Sequence, residues 1–302
     1  MPPLPQSIAL HIGAHKTASS HLQHMLYRNR AMLADEGIRV YGPGYLRLKG
    51  RNLAAMFGLS WSESPAPRRD PRKQLAFLAK GRRRIVFSEE NFVGSLYDSR
   101  GNVPLPVYPT GAARVAELVA KFAPVDTHLF IAVRNPATYL TSAYSQCLLG
   151  GVYTTPRAFR ARNDWRKVDW ADYVAALRAT PGLGELFVWR QEDYAQCHRL
   201  VLRRMLRWRV GAQIETVDHR VHEGLSEAAV KQTLSWAEEG RTGPLARDAR
   251  AAHPVGPDRR PFALYTPQTL ELSQARYDEQ LARIEKIEGV TVLHPPQTAQ
   301  KG

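Results

Sequence analysis

Six short apolar runs, rich in β-branched residues, are spread along the chain and limit the folds it can adopt. They lie at residues 8–12, 38–41, 85–87, 128–133, 186–189 and 290–293. Runs of this length and composition are typical of strands buried on both faces of a parallel sheet. Between most of them, apolar residues recur with helical spacing, as at Leu22, Met25 and Leu26. This alternation predicts an α/β fold in which a doubly wound, mainly parallel sheet is flanked by helices.

Three stretches interrupt the alternation, at residues 60–73, 97–111 and 240–261, and each is rich in Pro, Gly or Arg. Such composition predicts surface loops or lids. None of the three divides the chain into halves of different composition, and no internal repeat is present. We therefore expect one domain over residues 1–302, with a helical C-terminal extension.

The chain carries a formal net charge of +14, which indicates an anionic partner such as a phosphate-rich cofactor, an acidic glycan, nucleic acid or a membrane surface. Two compact basic clusters contribute, at residues 82–84 and 203–209. Neither is interleaved with aromatic residues in the pattern of a nucleic-acid-binding motif, so each taken alone favours a solvated face.

The amino-terminal segment has no basic region and its apolar run is too short for a signal peptide. No apolar stretch approaches the roughly 20 residues that a membrane span needs. We expect a cytoplasmic protein without a transmembrane segment. Cys147 and Cys197 lie in unrelated segments without metal-ligand spacing, and this favours two buried free thiols.

The segment from His11 to Gln23 runs from the first predicted strand through a turn of small residues into the first predicted helix. Backbone N–H groups at a helix N-terminus bind anions, and small side chains let a phosphate approach the backbone closely. A nucleotide-kinase loop would place Gly-Lys-[Ser/Thr] at residues 18–20, but Ala18, Ser19 and Ser20 stand there, and the lysine is Lys16. The segment predicts a phosphate cradle of another kind.

A second strand, turn and helix follow at residues 128–144. Arg134 ends the strand, Pro136 is placed for the first turn of the helix, and Ser142 follows eight residues after the arginine. A guanidinium donates two parallel hydrogen bonds to a phosphate, so an arginine with a nearby hydroxyl makes a good clamp. The competing interpretation of Arg134 is a helix-capping ion pair.

The third segment is a strand that ends in two carboxylates, Glu89 and Glu90. Successive residues on a strand point to opposite faces. If the extended conformation persists through both glutamates, only one of them enters the ligand-binding crevice at the end of the strand. Enclosure near Phe87 and Phe92 would raise the pKa of Glu90 toward the range of a useful base, although Lys16 nearby would lower it. A solvent-facing acidic loop is the alternative interpretation.

These three segments resemble the sulfotransferases that use 3'-phosphoadenosine 5'-phosphosulfate as donor. The lysine with its following hydroxyl residues resembles the family's 5'-phosphosulfate-binding loop, Lys-[Ser/Thr]-Gly-[Thr/Ser]-[Thr/Ser], with alanine in place of glycine. The spacing of Arg134 and Ser142 matches the family's 3'-phosphate site, and Ser88-x-Glu90 resembles a motif of related bacterial enzymes. The residues assigned to the donor loop are His15, Lys16, Thr17, Ala18, Ser19 and Ser20.

The resemblance implies a P-loop-like fold and a sulfuryl transfer to a hydroxyl or amine. The sulfuryl group carries less charge than a phosphoryl group and the sequence has no clear metal-ligand cluster, so we expect no essential metal. Lys16 would stabilise the charge that develops on the leaving oxygen. Glu90 would be the general base, with Glu89 as its competitor and His15 or His21 as further candidates. The expected partner is a small molecule or a glycan, with a carbohydrate favoured by the glutamate base and the basic loops.

Two other functions remain open at this point. A P-loop kinase would keep the cradle, but the Gly-Lys-[Ser/Thr] signature and a clear Mg²⁺-binding aspartate at a strand end are both missing. A basic nucleic-acid-binding protein is suggested by the net charge and the arginine clusters alone. The oligomeric state, the residues that contact adenine and the identity of the acceptor are not predicted.

Overall fold

A computed structural model describes residues 3–63, 69–217 and 224–296. They contain a six-stranded parallel sheet in the order β2-β3-β1-β4-β5-β6. Every apolar run predicted as a strand forms one, and the predicted doubly wound sheet is confirmed. The strands are β1 (Ser7–His11), β2 (Ile38–Tyr41), β3 (Arg84–Ser88), β4 (Asp126–Val133), β5 (Leu183–Arg190) and β6 (Val290–Val292).

Helices cover both faces of this sheet. Alternate residues of β1 show the division, because Ile8 and Leu10 enter one core and Ala9 enters the other. The helices are α1 (Ser19–Arg28), α2 (Arg30–Asp35), α3 (Pro43–Leu46), α4 (Leu53–Phe57), α5 (Pro71–Ala79), α6 (Gly111–Phe122), α7 (Pro136–Leu149), α8 (Pro156–Arg162), α9 (Trp170–Arg178), α10 (Tyr194–Leu206), α11 (Trp208–Ala212), α12 (Glu227–Glu238), α13 (Leu245–Ala252) and α14 (Pro267–Glu285).

The central strand β1 lies between β3 and β4: the chain runs from β1 to β2 and β3 on one side of it and then crosses to β4 on the other side. His11, its last residue, stands opposite Ser88 of β3 and Phe130 of β4. An open parallel sheet binds its ligands beyond the carboxyl ends of such central strands. The segments that follow β1, β3 and β4 therefore share one edge of the sheet.

The three predicted loops are more structured than expected. Residues 240–261 include the helix α13, and residues 60–73 run into α5, although positions 64–68 lie outside the described residues. Residues 97–111 precede α6, but Val103, Val107 and Tyr108 of this stretch are buried in the core. Pro and Gly content located the interruptions, whereas the burial of apolar side chains decided their packing.

Cys147 and Cys197 are buried free thiols, as predicted. Among residues 3–63, 69–217 and 224–296, no helix combines the length and the apolar character needed to cross a bilayer.

Candidate active site

The loop between β1 and α1 bends through three residues in the left-handed backbone region. Gly13 has φ 47°, and both Lys16 and Ala18 have φ 65°. Ala18 immediately precedes α1, and no side chain there accepts a hydrogen bond from the first turn of the helix. The position that carries glycine in the resembling family therefore does require a positive φ here, at a cost of about 1 kcal/mol for alanine.

Ser19 and Gly13 face each other across this loop. The Ser19 hydroxyl is buried and has no hydrogen-bond partner among the residues that the structure describes. A Cβ atom on Gly13 would lie 2.6 Å from the Ser19 Oγ, so no larger residue fits opposite the hydroxyl without displacement. A buried polar group without a partner costs about 1–3 kcal/mol, and an oxygen of a bound anion would satisfy it. The loop thus has both the shape and the polar group of an anion site.

The other loop residues have different roles: some stabilise the loop by hydrogen bonds, and others are exposed to solvent. Thr17 donates its hydroxyl hydrogen to the carbonyl oxygen of Ala14 at 2.5 Å, so it closes the turn. Ser20 is exposed. His15 shares a 2.9 Å hydrogen bond with the Tyr108 hydroxyl through Nδ1 and another of 2.9 Å with Asn91 through Nε2. Burial lowers the pKa of His15 below its ordinary value.

Lys16 lies beside the helix α7. Its ammonium donates a hydrogen bond of 3.2 Å to the side-chain oxygen of Gln146. Burial lowers the pKa of Lys16, and the neighbouring cations Arg134 and Arg250 lower it further. The side chain is therefore held in a place where a cation is poorly solvated, and a negative ligand would stabilise it there.

Arg134 joins the two predicted phosphate motifs. Its Nη1 donates a 2.8 Å hydrogen bond to the backbone carbonyl of Lys16, and its Nε donates one of 3.1 Å to Thr138. Burial lowers the pKa of Arg134. The charge of Glu192 partly offsets this effect, but no salt bridge to Arg134 forms within the described part of the chain, which disfavours the interpretation as a helix-capping ion pair.

Ser142 lies on the same stripe of α7 as the partners of these two cations. Thr138, Ser142 and Gln146 are spaced four residues apart, which places them on one helix face. Because Thr138 bonds Arg134 and Gln146 bonds Lys16, the half-buried Ser142 stands between the two contacts. The structure therefore brings all the predicted phosphate-binding residues to one edge of the sheet.

The two carboxylates after β3 share one arginine that the sequence patterns did not identify. Arg47 donates to both oxygens of Glu89, at distances from 2.8 to 3.2 Å, and its Nη2 also donates to Glu90 at 2.9 Å. Arg47 follows α3 and belongs to no recognisable motif, so no sequence signal points to it. The alternative of a solvent-facing acidic loop is wrong for Glu89, which is 7% exposed.

The expectation that Glu89 and Glu90 point to opposite faces does not apply. The strand β3 ends at Ser88, Glu89 keeps an extended backbone, and a 3₁₀ helix, Glu90–Val93, starts at the next residue. Glu89 also accepts a 3.0 Å hydrogen bond from the backbone N–H of Asn91, which fixes it at the start of that helix. The tighter winding turns both carboxylates toward Arg47.

The expected rise in the pKa of Glu90 is wrong. Burial is the largest single influence and does raise it, but hydrogen bonds from Gln23 and Arg47 to the ionised carboxylate outweigh burial. Gln23 of α1 donates at 2.8 Å to Glu90 Oε2. The net pKa of Glu90 lies below its ordinary value, so the group is ionised at neutral pH.

His11 on β1 and His21 on α1 are both held by hydrogen bonds to neighbouring parts of the fold. His11 shares a 2.7 Å hydrogen bond with Ser88 of β3, and burial lowers its pKa to about 4, so its ring is neutral. His21 bonds the Tyr194 hydroxyl and the carbonyl oxygen of Val217, on the side of α1 that faces α10. These contacts disfavour His21 as a base.

No group of three or more His, Cys, Asp or Glu side chains that could hold a metal ion occurs among residues 3–63, 69–217 and 224–296. The polar groups that converge on the loop are instead cations, hydroxyls and backbone N–H groups, together with Glu90. Such a set can bind an anionic ligand and offer one carboxylate as a proton acceptor.

No protein-family model matches the chain, and no curated protein matches it. A solved structure of a sulfotransferase from Alicyclobacillus acidocaldarius is similar at 16% identity, over 94% of this chain and 95% of that chain, with a TM-score of 0.41. Because the identity and the score are both low, this similarity does not bear on the function of the chain.

Proposed function

We propose that this chain is a sulfotransferase that transfers the sulfuryl group of 3'-phosphoadenosine 5'-phosphosulfate to a hydroxyl or amine of an acceptor. The observation that carries the proposal is the 2.8 Å hydrogen bond from Arg134 to the carbonyl oxygen of Lys16. It joins two segments 118 residues apart, each of which resembles one half of a donor site. A donor with phosphate groups on the 5' and 3' positions of one ribose needs two such segments close together, and their direct contact supports this assignment.

The loop at residues 15–20 would hold the 5' end of the donor, and Arg134 with Ser142 would hold its 3'-phosphate. The unpaired Ser19 hydroxyl and the limited space at Gly13 support the first assignment. When bound, the donor supplies an activated sulfuryl group. The backbone of the loop, with the N-terminus of α1 behind it, favours negative charge at this place.

Lys16 would stabilise the negative charge that develops on the leaving oxygen. The half-buried ammonium acts in a medium of lower dielectric constant than water, so its interaction with developing charge is stronger. Gln146 holds the side chain in position by accepting a hydrogen bond from it through Oε1. Stabilisation of charge that appears only in the transition state raises kcat.

Glu90 would accept the proton of the acceptor. Its low pKa keeps the carboxylate ionised, and its hydrogen bonds from Gln23 and Arg47 hold it in place. Glu89 is the weaker candidate, because it is the more buried of the two and accepts three hydrogen bonds from Arg47 and one from the backbone of Asn91, whereas Glu90 accepts one side-chain hydrogen bond at each oxygen. A carboxylate that stabilises the local fold is less free to take up a proton.

The acceptor we favour is a carbohydrate, with other small molecules that carry a hydroxyl or amine as alternatives. The described parts of stretches 60–73, 97–111 and 240–261 would shape its pocket, since loops at the end of an α/β sheet generally determine substrate choice. The kinase hypothesis would need the same cradle with adenosine triphosphate and Mg²⁺. Both classes of donor can be tested on one protein.

The test is a transfer assay with isotopically labelled donor and pools of glycans, phenols and amines, followed by mass identification of the labelled product. We expect label in the acceptor with the wild-type protein and little with the Lys16→Ala variant. Parallel reactions with adenosine triphosphate and Mg²⁺ should give no phosphorylated product. Phosphorylation, or failure to bind 3'-phosphoadenosine 5'-phosphate in calorimetry, would overturn the proposal.

A further inference from the structure

A basic groove lies at the amino ends of the strands, on the edge of the sheet opposite Lys16. Arg84 begins β3 and pairs with Ser7 at the beginning of β1, whereas the Lys16 loop follows the end of β1. The groove consists of two adjoining cavities of about 460 and 220 Å³ that share Arg84, Arg207 and Trp208. We call it the arginine groove; its basic residues are Arg83, Arg84, Arg203, Arg204, Arg207 and Arg209.

Most of this positive charge is not neutralised by the protein. In the described ranges, no ion pair involves any of the six arginines, and the two carboxylates that line the cavities are Glu36 and Glu185. Arg84 is buried at the floor, where burial and the nearby Arg207 lower its pKa to about 10. The charges of Arg84 and Arg207 repel each other in the free protein, although Asp126 and Glu185 partly offset this, and a bound anion would relieve the repulsion.

Arg207 occupies a backbone conformation that glycine adopts far more readily than any other residue. Its φ is 71° and its ψ is 148° at the junction between α10 and α11. A strained backbone persists where the surrounding structure enforces it, and such positions cluster at functional sites. At this junction an arginine, rather than the less strained glycine, contributes its guanidinium to both cavities.

The surroundings of Trp208 favour one class of polyanionic ligand over another. It is 54% exposed, and the guanidinium of Arg203 lies 4.6 Å from the centroid of its ring. Single-stranded nucleic acid is bound through a succession of aromatic platforms on which bases stack, and the groove has one exposed indole. Guanidinium groups arranged along a concave surface suit sulfate and carboxylate groups, to which they donate paired hydrogen bonds.

We propose that the arginine groove is a binding site for a sulfated polysaccharide, separate from the reaction centre. Sulfate groups would lie between the guanidiniums, and a sugar ring would contact Trp208. The site goes beyond the proposed transfer activity and does not depend on it, because no residue of the groove belongs to the loop or to the carboxylate pair.

The test is calorimetry with a heparin oligosaccharide of defined length, at physiological salt. The groove variant combines three substitutions, Arg83→Gln, Arg204→Gln and Arg209→Gln. These three arginines are exposed and lie on different segments. Its control is Arg72→Gln with Arg157→Gln and Arg276→Gln, which removes the same charge from exposed positions elsewhere. We expect the groove variant to bind at least about tenfold more weakly and the control to stay within about twofold of the wild type.

A second variant, Arg207→Gly, separates binding from stability. Glycine relieves the backbone strain, so the unfolding temperature should rise while the affinity for the oligosaccharide falls. Equal losses in the groove and control variants would show that binding follows net charge, and would overturn the proposal. Unchanged affinity in Arg207→Gly would do the same, as would tighter binding of a single-stranded RNA of equal charge.

Discussion

The side-chain amide of Gln23 donates a 2.8 Å hydrogen bond to Glu90 Oε2 and so connects the first helix to the end of β3. This bond helps to lower the pKa of Glu90 against the effect of burial. If Glu90 is the base, kcat/KM falls as the pH drops through its pKa, because protonation removes the acceptor for the substrate proton. With the pKa below its ordinary value, the wild-type enzyme should keep its activity into the acidic range.

Replacing Gln23 with leucine should move this acidic limb to higher pH. The substitution removes a hydrogen bond that favours the ionised carboxylate and leaves the burial that disfavours it. The measurement is kcat/KM against pH for the wild type and for Gln23→Leu. Identical acidic limbs would mean that the observed ionisation belongs to another group. A useful control is Gln23→Asn, a shorter amide that keeps the polarity of the position.

Glu90→Gln should lower kcat by about 10²-fold or more, with little change in donor affinity, which is the usual scale for loss of a general base. Glu89→Gln should cost much less activity. It should instead reduce the free energy of unfolding by about 1.5–3 kcal/mol, because Glu89 accepts charge-assisted hydrogen bonds from Arg47 while buried. Measurements of kcat and of denaturant unfolding for both variants test this assignment of catalysis to Glu90 and stability to Glu89. A larger loss of kcat in Glu89→Gln than in Glu90→Gln would assign the role of base to Glu89.

Lys16→Ala should retain the fold and lose turnover by about 10²–10³-fold, the range for removal of one group that stabilises developing charge. Within the described ranges the side chain makes one hydrogen bond, to Gln146, and it is not among the core residues. The comparison is single-turnover kinetics with the thermal unfolding of the same sample. Near wild-type kcat would exclude Lys16 from the mechanism, and Gln146→Ala should give a smaller loss, since it removes only the positioning contact.

Arg134→Ala should weaken binding of 3'-phosphoadenosine 5'-phosphate far more than binding of adenosine 5'-phosphosulfate, which has no 3'-phosphate. Part of the loss should be common to both ligands, because the guanidinium also supports the carbonyl oxygen of Lys16. Calorimetry with both ligands separates the two contributions. Ser142→Ala should affect only the first ligand, and equal losses for both ligands in Arg134→Ala would show that the arginine does not bind the 3'-phosphate.

Gly13→Ala should destabilise the protein and abolish donor binding, since its Cβ would lie 2.6 Å from the Ser19 hydroxyl and φ is 47°. Ser19→Ala removes the atom that the new methyl group meets. The loss of unfolding free energy caused by Gly13→Ala should therefore be smaller in the Ser19→Ala background, by about 0.5–3 kcal/mol in a double-mutant cycle. Strictly additive effects would mean that there is no steric interaction between the residues at positions 13 and 19.

The sequence alone determined the six strands and their connection into a doubly wound sheet, because hydrophobic periodicity is a local property that burial on both faces imposes on each segment. It also located Lys16, Arg134 and the two glutamates at the ends of strands. Parallel strands have their carboxyl ends on the same side of the sheet, so the sheet topology alone brings together residues at strand ends that are distant in sequence.

The tertiary structure decided the partners and the charge state of these residues. Arg47 is 43 residues from Glu90 and Gln23 is 67 residues away, and neither belongs to a motif. A pKa depends on the balance between burial and a few hydrogen bonds at distances near 3 Å, and this balance exists only once distant segments have packed. For Glu90 the apolar neighbours in sequence indicated a raised pKa, whereas the polar neighbours in space lowered it.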